Sequence, residues 1–225
     1  GQLKKNGVMK MSVIHSILEI YEEVDGLTDR FRNEFGYSCP PDCGACCTFN
    51  KVEATELELL PAAAEVWASG KADSVLHRLA GASTMTCVFY HPQESLPDHG
   101  WCEIYPFRPL VCRLFGYAAV RTRTGALEMA HCTLIRHLVE DAKEQSDALL
   151  AEGFEVAIFS DYGMTMSCLD PLLGTWRLPI NDAMRRALHR EGLGQMLSAE
   201  EDAPPPYPAA SPVAFVSTSM VPFKK

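Results

Sequence analysis

Apolar residues return at three- and four-residue steps from Ile14 through Ile17, Leu18, Tyr21, Val24, Leu27 and Phe31 to Phe35. That period lays one apolar stripe along a helix of several turns, and Gly36 ends it. Farther along, Ile135, Leu138, Val139, Ala142, Leu149 and Leu150 fall on one face of a second long helix. Between the two, Thr55 and Glu58 form a capping-box signature, and Pro61 either kinks that helix or starts another that runs to Trp67. Ala72 to Leu79 predicts a further helix burying Leu76 and Leu79, and Asn181 caps a last helix through Leu188 that Gly192 and Gly194 close.

Strand signals are sparse. Phe115–Val120 and Ala126–Met129 flank Thr124-Gly125 and predict one short β-hairpin. From Cys87 to Cys112 the chain carries Pro92, Pro97, Gly100, Pro106 and Pro109, a composition for ordered loop rather than regular structure. Met129, Met164 and Met166 read as core filler. The fold class is mainly α: a helical body in which two long helices pack around irregular Cys/Pro-rich loops that converge on a metal site. It occupies residues 1–202 as one domain. Pro204, Pro205, Pro206 and Pro208 make 203–225 an extended, Pro-rich C-terminal tail.

Composition narrows the function. With 225 residues, 47% of them apolar, the chain can bury a core without covalent staples, so its nine cysteines are not needed to hold the fold. A formal net charge of −9 argues against a general nucleic-acid surface. The apolar run Val13–Ile20 meets Glu22 and Glu23 at once, far short of the ~20 residues of a membrane span. Lys4, Lys5 and Lys10 precede a short apolar stretch, but no continuous apolar region or small-residue cleavage site follows, so this segment reads as helix rather than targeting signal. An odd number of cysteines without such a signal predicts reduced thiols in the cytoplasm.

The thiols are clustered. Cys39, Cys43, Cys46 and Cys47 fall within nine residues, and on an ideal helix their offsets would share a stripe about 100° wide. Gly44 lets the backbone approach whatever they hold. Cys87, Cys102, Cys112 and Cys132 form a looser group. Gathering thiolates without a metal is costly, because like charges repel and burial raises each thiol pKa; a metal removes that cost. Zinc and the irons of iron–sulfur clusters both take thiolates in tetrahedral sets. Adjacent Cys46 and Cys47 suit a polynuclear site or two nearby sites better than one zinc ion, which favours an iron–sulfur cluster, [4Fe–4S] foremost, with zinc as the alternative. Arg108 and Arg113 flank Cys112 and are candidates to offset the cluster's negative charge from just outside its ligands. Cys168 stands alone and reads as core or surface. His91, His99 and His131 lie near the cysteine segments and are open as ligands. Trp101 and Tyr105 read as packing around the loop. No phosphate-binding glycine loop, HExxH or G-x-S-x-G elbow occurs.

Cys39, Cys43, Cys46 and Cys47, then Cys87, then the Cys102-Glu-Ile-Tyr…Arg108-Pro109…Cys112-Arg113 run, resemble the YkgJ-type cysteine-cluster (CxxCxxCC) family over about residues 36–135. That family is described as zinc- or iron-chelating proteins. The resemblance implies metal chelation in a cytoplasmic bacterial or archaeal setting and supplies no reaction. Flagellin lysine methylases carry a similar cluster, which keeps methyl transfer in view. The partners expected are a metal ion or cluster and a protein, either a redox partner or the target of a modifying enzyme.

Overall fold

The computed structural model describes residues 2–40, 43–49, 51–81, 86–93 and 99–202. The tail expected over 203–225 lies outside the described residues.

The fold is mainly helical, as the periodicity predicts. Helix α1 (Gln2–Phe35) begins well before the recognisable stripe and stops where expected, with Gly36 in the left-handed region at φ 75°. Its stripe is the spine of the molecule: Ile17, Tyr21, Val24 and Leu27 enter one core cluster, and Phe31 and Phe35 enter a second. After the first cysteine loop come β1 (Glu53–Thr55) and a 3-10 turn, Leu57–Leu59. Pro61 then starts α2 (Leu60–Ala68) rather than kinking a longer helix. The capping box forms: Thr55 Oγ1 accepts from Glu58 N–H at 3.2 Å, and Glu58 Oε1 accepts from Thr55 N–H at 3.2 Å. Helix α3 (Ala72–Gly81) follows, with Val75 and Leu79 buried and Leu76 half-buried.

The stretch from Cys87 to Cys112 holds more regular structure than its prolines suggest. Strands β2 (Tyr90–Pro92) and β3 (Gly100–Cys102) pair antiparallel, a 3-10 turn covers Tyr105–Phe107, and α4 (Leu110–Leu114) starts right after Pro109. The predicted hairpin forms between β4 (Ala119–Arg121) and β5 (Leu127–Met129), turning through Gly125 at φ 85°.

The long helix expected from Ile135 to Leu150 is broken. Helices α5 (Thr133–Leu138) and α6 (Ala142–Ala151) flank Asp141, whose φ is 55°. The break lets Ile135 and Ala142 both face the second core cluster and leaves Leu138 exposed. Helices α7 (Phe159–Leu169) and α8 (Pro171–Gly174) lead to β6 (Arg177–Pro179), which pairs with β1. Of the expected core methionines, Met129 and Met166 are buried, whereas Met164 is exposed.

Helix α9 (Ile180–Asp202) runs through Gly192 and Gly194 instead of ending there. Gly192 serves close approach: a Cβ on it would strike the ring of Trp67, whose Nε1 donates to the carbonyl of Leu188 at 2.9 Å. Asn181 does not act as the expected cap, because its side chain turns to the loop before β2. There its Oδ1 accepts from Val88 N–H and its Nδ2 donates to the Thr86 carbonyl, each at 2.9 Å.

Candidate metal centre

Three segments, the second and third nearly continuous in the chain, bring the cysteines to one cavity. The first is the loop after α1. It is not the continuous helix the cysteine offsets allowed: Cys43 N–H bonds to the Pro40 carbonyl, and Cys47 N–H and Thr48 N–H both bond to the Gly44 carbonyl. Gly44 does give a close approach, but to a side chain: a Cβ there would strike the ring of Tyr90. A Cβ on Gly100 would meet the same ring and the His91 carbonyl. Tyr90 therefore sits in a slot between two glycines and locks the first loop against the β2–β3 hairpin. A bridge between Cys43 and His99 and the bond from Cys87 N–H to the Cys47 carbonyl (2.9 Å) complete that contact.

The hairpin presents Cys102 at the end of β3, with Cys87 just before β2. The third segment, the Tyr105–Phe107 turn and α4, presents Arg108 and Cys112. Glu58, whose carboxyl burial pushes up, fixes the start of α4 by accepting from Val111 N–H at 3.4 Å.

The cavity measures ≈ 230 Å³, and Cys43, Cys46, Cys47, Cys87, Cys102 and Cys112 are in its lining. Arg108 is the cation in the wall; its guanidinium stacks on the Tyr105 ring at 3.6 Å, and its Nε donates to the Tyr105 carbonyl at 3.2 Å. Trp101 and Tyr105, expected as packing, flank the cavity with their side chains 57% and 56% exposed, so they form its mouth. Among the described residues, no three His, Cys, Asp or Glu side chains stand close enough together to hold one metal ion.

The sulfurs differ electrostatically. Burial drives the Cys112 thiol well up and the Cys87 thiol up to about 12. Cys46 moves the other way, down to about 7: the Cys47 thiol donates to its sulfur, and Arg108 adds a favourable charge. The donated proton is correspondingly hard to remove from Cys47. The cavity thus offers its first thiolate at Cys46. A half-buried set of soft sulfur donors with one adjacent cation fits a thiophilic metal.

Residues 38–134 match the model of a family described as "CxxCxxCC: Putative zinc- or iron-chelating domain". Over that stretch, less than half of the chain, the sequence is similar to this family. No curated protein and no solved structure matches the chain. The first gap between the cysteines holds three residues, Pro40, Pro41 and Asp42, where the family pattern has two.

Not every candidate ligand reaches the cavity. Cys39 and Cys132 are absent from its lining. Cys39 Sγ accepts from the Tyr117 hydroxyl at 3.2 Å, and Cys132 caps α5, its Sγ accepting from Ile135 N–H at 3.4 Å. Arg113, only 5% exposed, points away from the cavity: it pairs with Asp25, lies over the Tyr21 ring at 4.2 Å, and donates to the carbonyls of Arg108 (2.9 Å) and Pro106 (2.5 Å). His91 pairs with Glu103 at 3.1 Å and stacks on Trp101, His99 meets Cys43 through the backbone, and Cys168 is exposed on α7. Sequence reasoning did not single out the apolar walls Phe49, Val52 and Ile180; no local pattern marks them, since tertiary packing alone brings them to the cysteines.

Proposed function

We propose that the chain holds an iron–sulfur cluster, of the [4Fe–4S] kind, in the cysteine-lined cavity, and that the protein serves electron transfer or supports a modifying enzyme. The observation that carries this reading is the number of thiols at one cavity. Six cysteines line a space of ≈ 230 Å³, more than the four donors that a single zinc ion takes and enough to ligate a body of several atoms.

When bound, such a cluster supplies one-electron chemistry. The chain's own residues do the rest. Cys46 offers the first thiolate, and Arg108 places a positive charge beside a site that becomes strongly negative as further thiols ionise. Phe49, Val52, Ile104, Pro109 and Ile180 form apolar walls that limit water, while Trp101 and Tyr105 leave a face where a redox partner can approach.

The test is anaerobic purification with an absorption spectrum and metal and acid-labile sulfide analysis. Iron and sulfide together, with broad visible absorption, support the cluster. A colourless protein with stoichiometric zinc would replace it with a structural zinc site that builds an interaction surface. The open mouth favours one further reading, a metal-dependent methyl or other group transferase. A methyl donor that perturbs the metal's spectrum on binding would be its first support.

A further inference from the structure

The mouth of the cavity is lined by exposed aromatic rings that are already ordered. Phe49, 46% exposed, joins Trp101 and Tyr105 in the lining. Single exposed apolar side chains are ordinary on a protein surface, but these three share one opening, and two of them are held still. The register of β2 and β3 sets His91 opposite Trp101, and their rings stack with centroids 4.4 Å apart and planes 15° apart. Glu103 fixes His91 in turn, 3.1 Å from its Nε2, and is itself held by Arg78 and Lys71. Likewise Arg108, three residues past Tyr105, lies over its ring at 3.6 Å. Rings ordered in advance lose little freedom on binding, and Trp, Tyr and Arg are the residue types in which interface binding energy concentrates.

Charge narrows the partner. The carboxylate of Glu103 is engaged by Lys71, Arg78 and His91. Arg108 has no carboxylate partner among the described residues: its Nε donates to the Tyr105 carbonyl at 3.2 Å, and none of those residues accepts from its two terminal nitrogens. A planar guanidinium with that edge unused matches a carboxylate through two parallel hydrogen bonds. The mouth therefore pairs apolar anchors with a cation suited to an acidic group.

We propose that this mouth docks an acidic peptide segment of a partner protein, which sets an apolar side chain against Trp101 and Tyr105 and a carboxylate on Arg108. The inference deepens the reading of the cavity as a metal site that serves a protein partner, and it rests on that reading for the partner's approach, not for the metal's identity. Docking is noncovalent and transfers no group.

The test uses the full chain, purified anaerobically, and two blocked synthetic peptides, acetyl-Asp-Phe-Asp-Phe-amide and acetyl-Lys-Phe-Lys-Phe-amide. Both are titrated by calorimetry, with metal content assayed in the same sample. The chain's net charge of −9 repels an acidic peptide and attracts a basic one, so a preference for the acidic peptide reports a local cation. The acidic peptide is expected to bind at least about tenfold tighter than the basic one, with the preference shrinking as salt rises. Trp101→Ala weakens its binding at least about tenfold with metal content and circular dichroism unchanged. Arg108→Gln abolishes the preference between the two peptides. A chain free of metal that still prefers the acidic peptide would sink the metal reading alone. Equal binding of the two peptides, preference for the basic one, or unchanged affinity in Trp101→Ala would each overturn the proposal. So would a dimer in sedimentation that Trp101→Ala dissociates, which would give the mouth to a second copy of this chain.

Discussion

Arg113 on α4 pairs with Asp25 in α1, and with the same guanidinium it holds the carbonyls of Pro106 and Arg108. One side chain thereby ties the loop that carries Arg108 and Cys112 to the spine of the molecule. Lys carries the charge but not the planar fork. Arg113→Lys should therefore cost about 1–3 kcal/mol in urea unfolding and loosen metal retention as a consequence. Arg108→Gln should act in the opposite order: little change in stability, but a lower midpoint potential or weaker metal binding, because its charge lies in the cavity wall. Equal effects of the two substitutions on both readouts would show that the arginines do not divide these roles.

In the metal-free chain, Cys46 is the thiol to titrate first. Its folded value of about 7 lies below that of an ordinary thiol, so its thiolate predominates above neutral pH and is lost as pH falls through about 7. Alkylation at Cys46, mapped by mass spectrometry, should rise across that range. Cys47→Ala removes the donated hydrogen bond and should move the rise upward, toward about 8.5. An unmoved profile would show that Cys47 is not the cause.

Glu103 carries the acid dependence of the β2–β3 hairpin. Burial alone would raise its pKa, but hydrogen bonds from Arg78, His91 and Lys71 hold the carboxyl down to about 2. A depressed folded value contributes stability that is present above the unfolded carboxyl pKa, about 4.3, and is lost as pH falls from there through about 2. Glu103→Gln should cost about 1–2 kcal/mol at pH 7, the low end for charged hydrogen bonds because Lys71 and His91 are partly exposed. The variant and wild type should converge in stability near pH 2.

Gly100→Ala forces a methyl group against the His91 carbonyl and the Tyr90 ring. Overpacking of this kind costs roughly 1–3 kcal/mol, and here it displaces the strand that ends in Cys102. Thermal unfolding and metal content should fall together. Gly125→Ala, in an open turn, is the comparison: it strains only its own φ and should leave metal content unchanged.

The helical body was legible where one face is apolar over many turns. The stripe of α1 predicts both the buried residues and the stop at Gly36. Periodicity could not show the break at Asp141, because the apolar spacing continues across it; only the packing of Ile135 and Ala142 on Phe31 and Phe35 explains why the chain bends there. Gly192 looks like a helix stop for a similar reason, since its neighbour Trp67 comes from α2, 125 positions earlier. The thiol pool could be read from cysteine density. Its division between the cavity and the Tyr117 side could not, because it depends on Tyr90 fitting between Gly44 and Gly100 and on the Tyr117 hydroxyl reaching Cys39. Nor does spacing reveal direction. Arg108 and Arg113 flank Cys112 alike in the sequence, yet they face different partners.

Ile180, whose N–H bonds to the Val52 carbonyl at 3.1 Å, forms part of the cavity wall. During biosynthesis Cys47 therefore leaves the ribosome 133 residues ahead of the last piece of its enclosure. At about 5–20 residues per second, the first cysteine loop spends roughly 7–27 s as unshielded thiols on a nascent chain. Metal delivered in that interval would meet ligands without walls, so stable loading waits until Ile180 has emerged, and the cell must keep these sulfurs reduced until then.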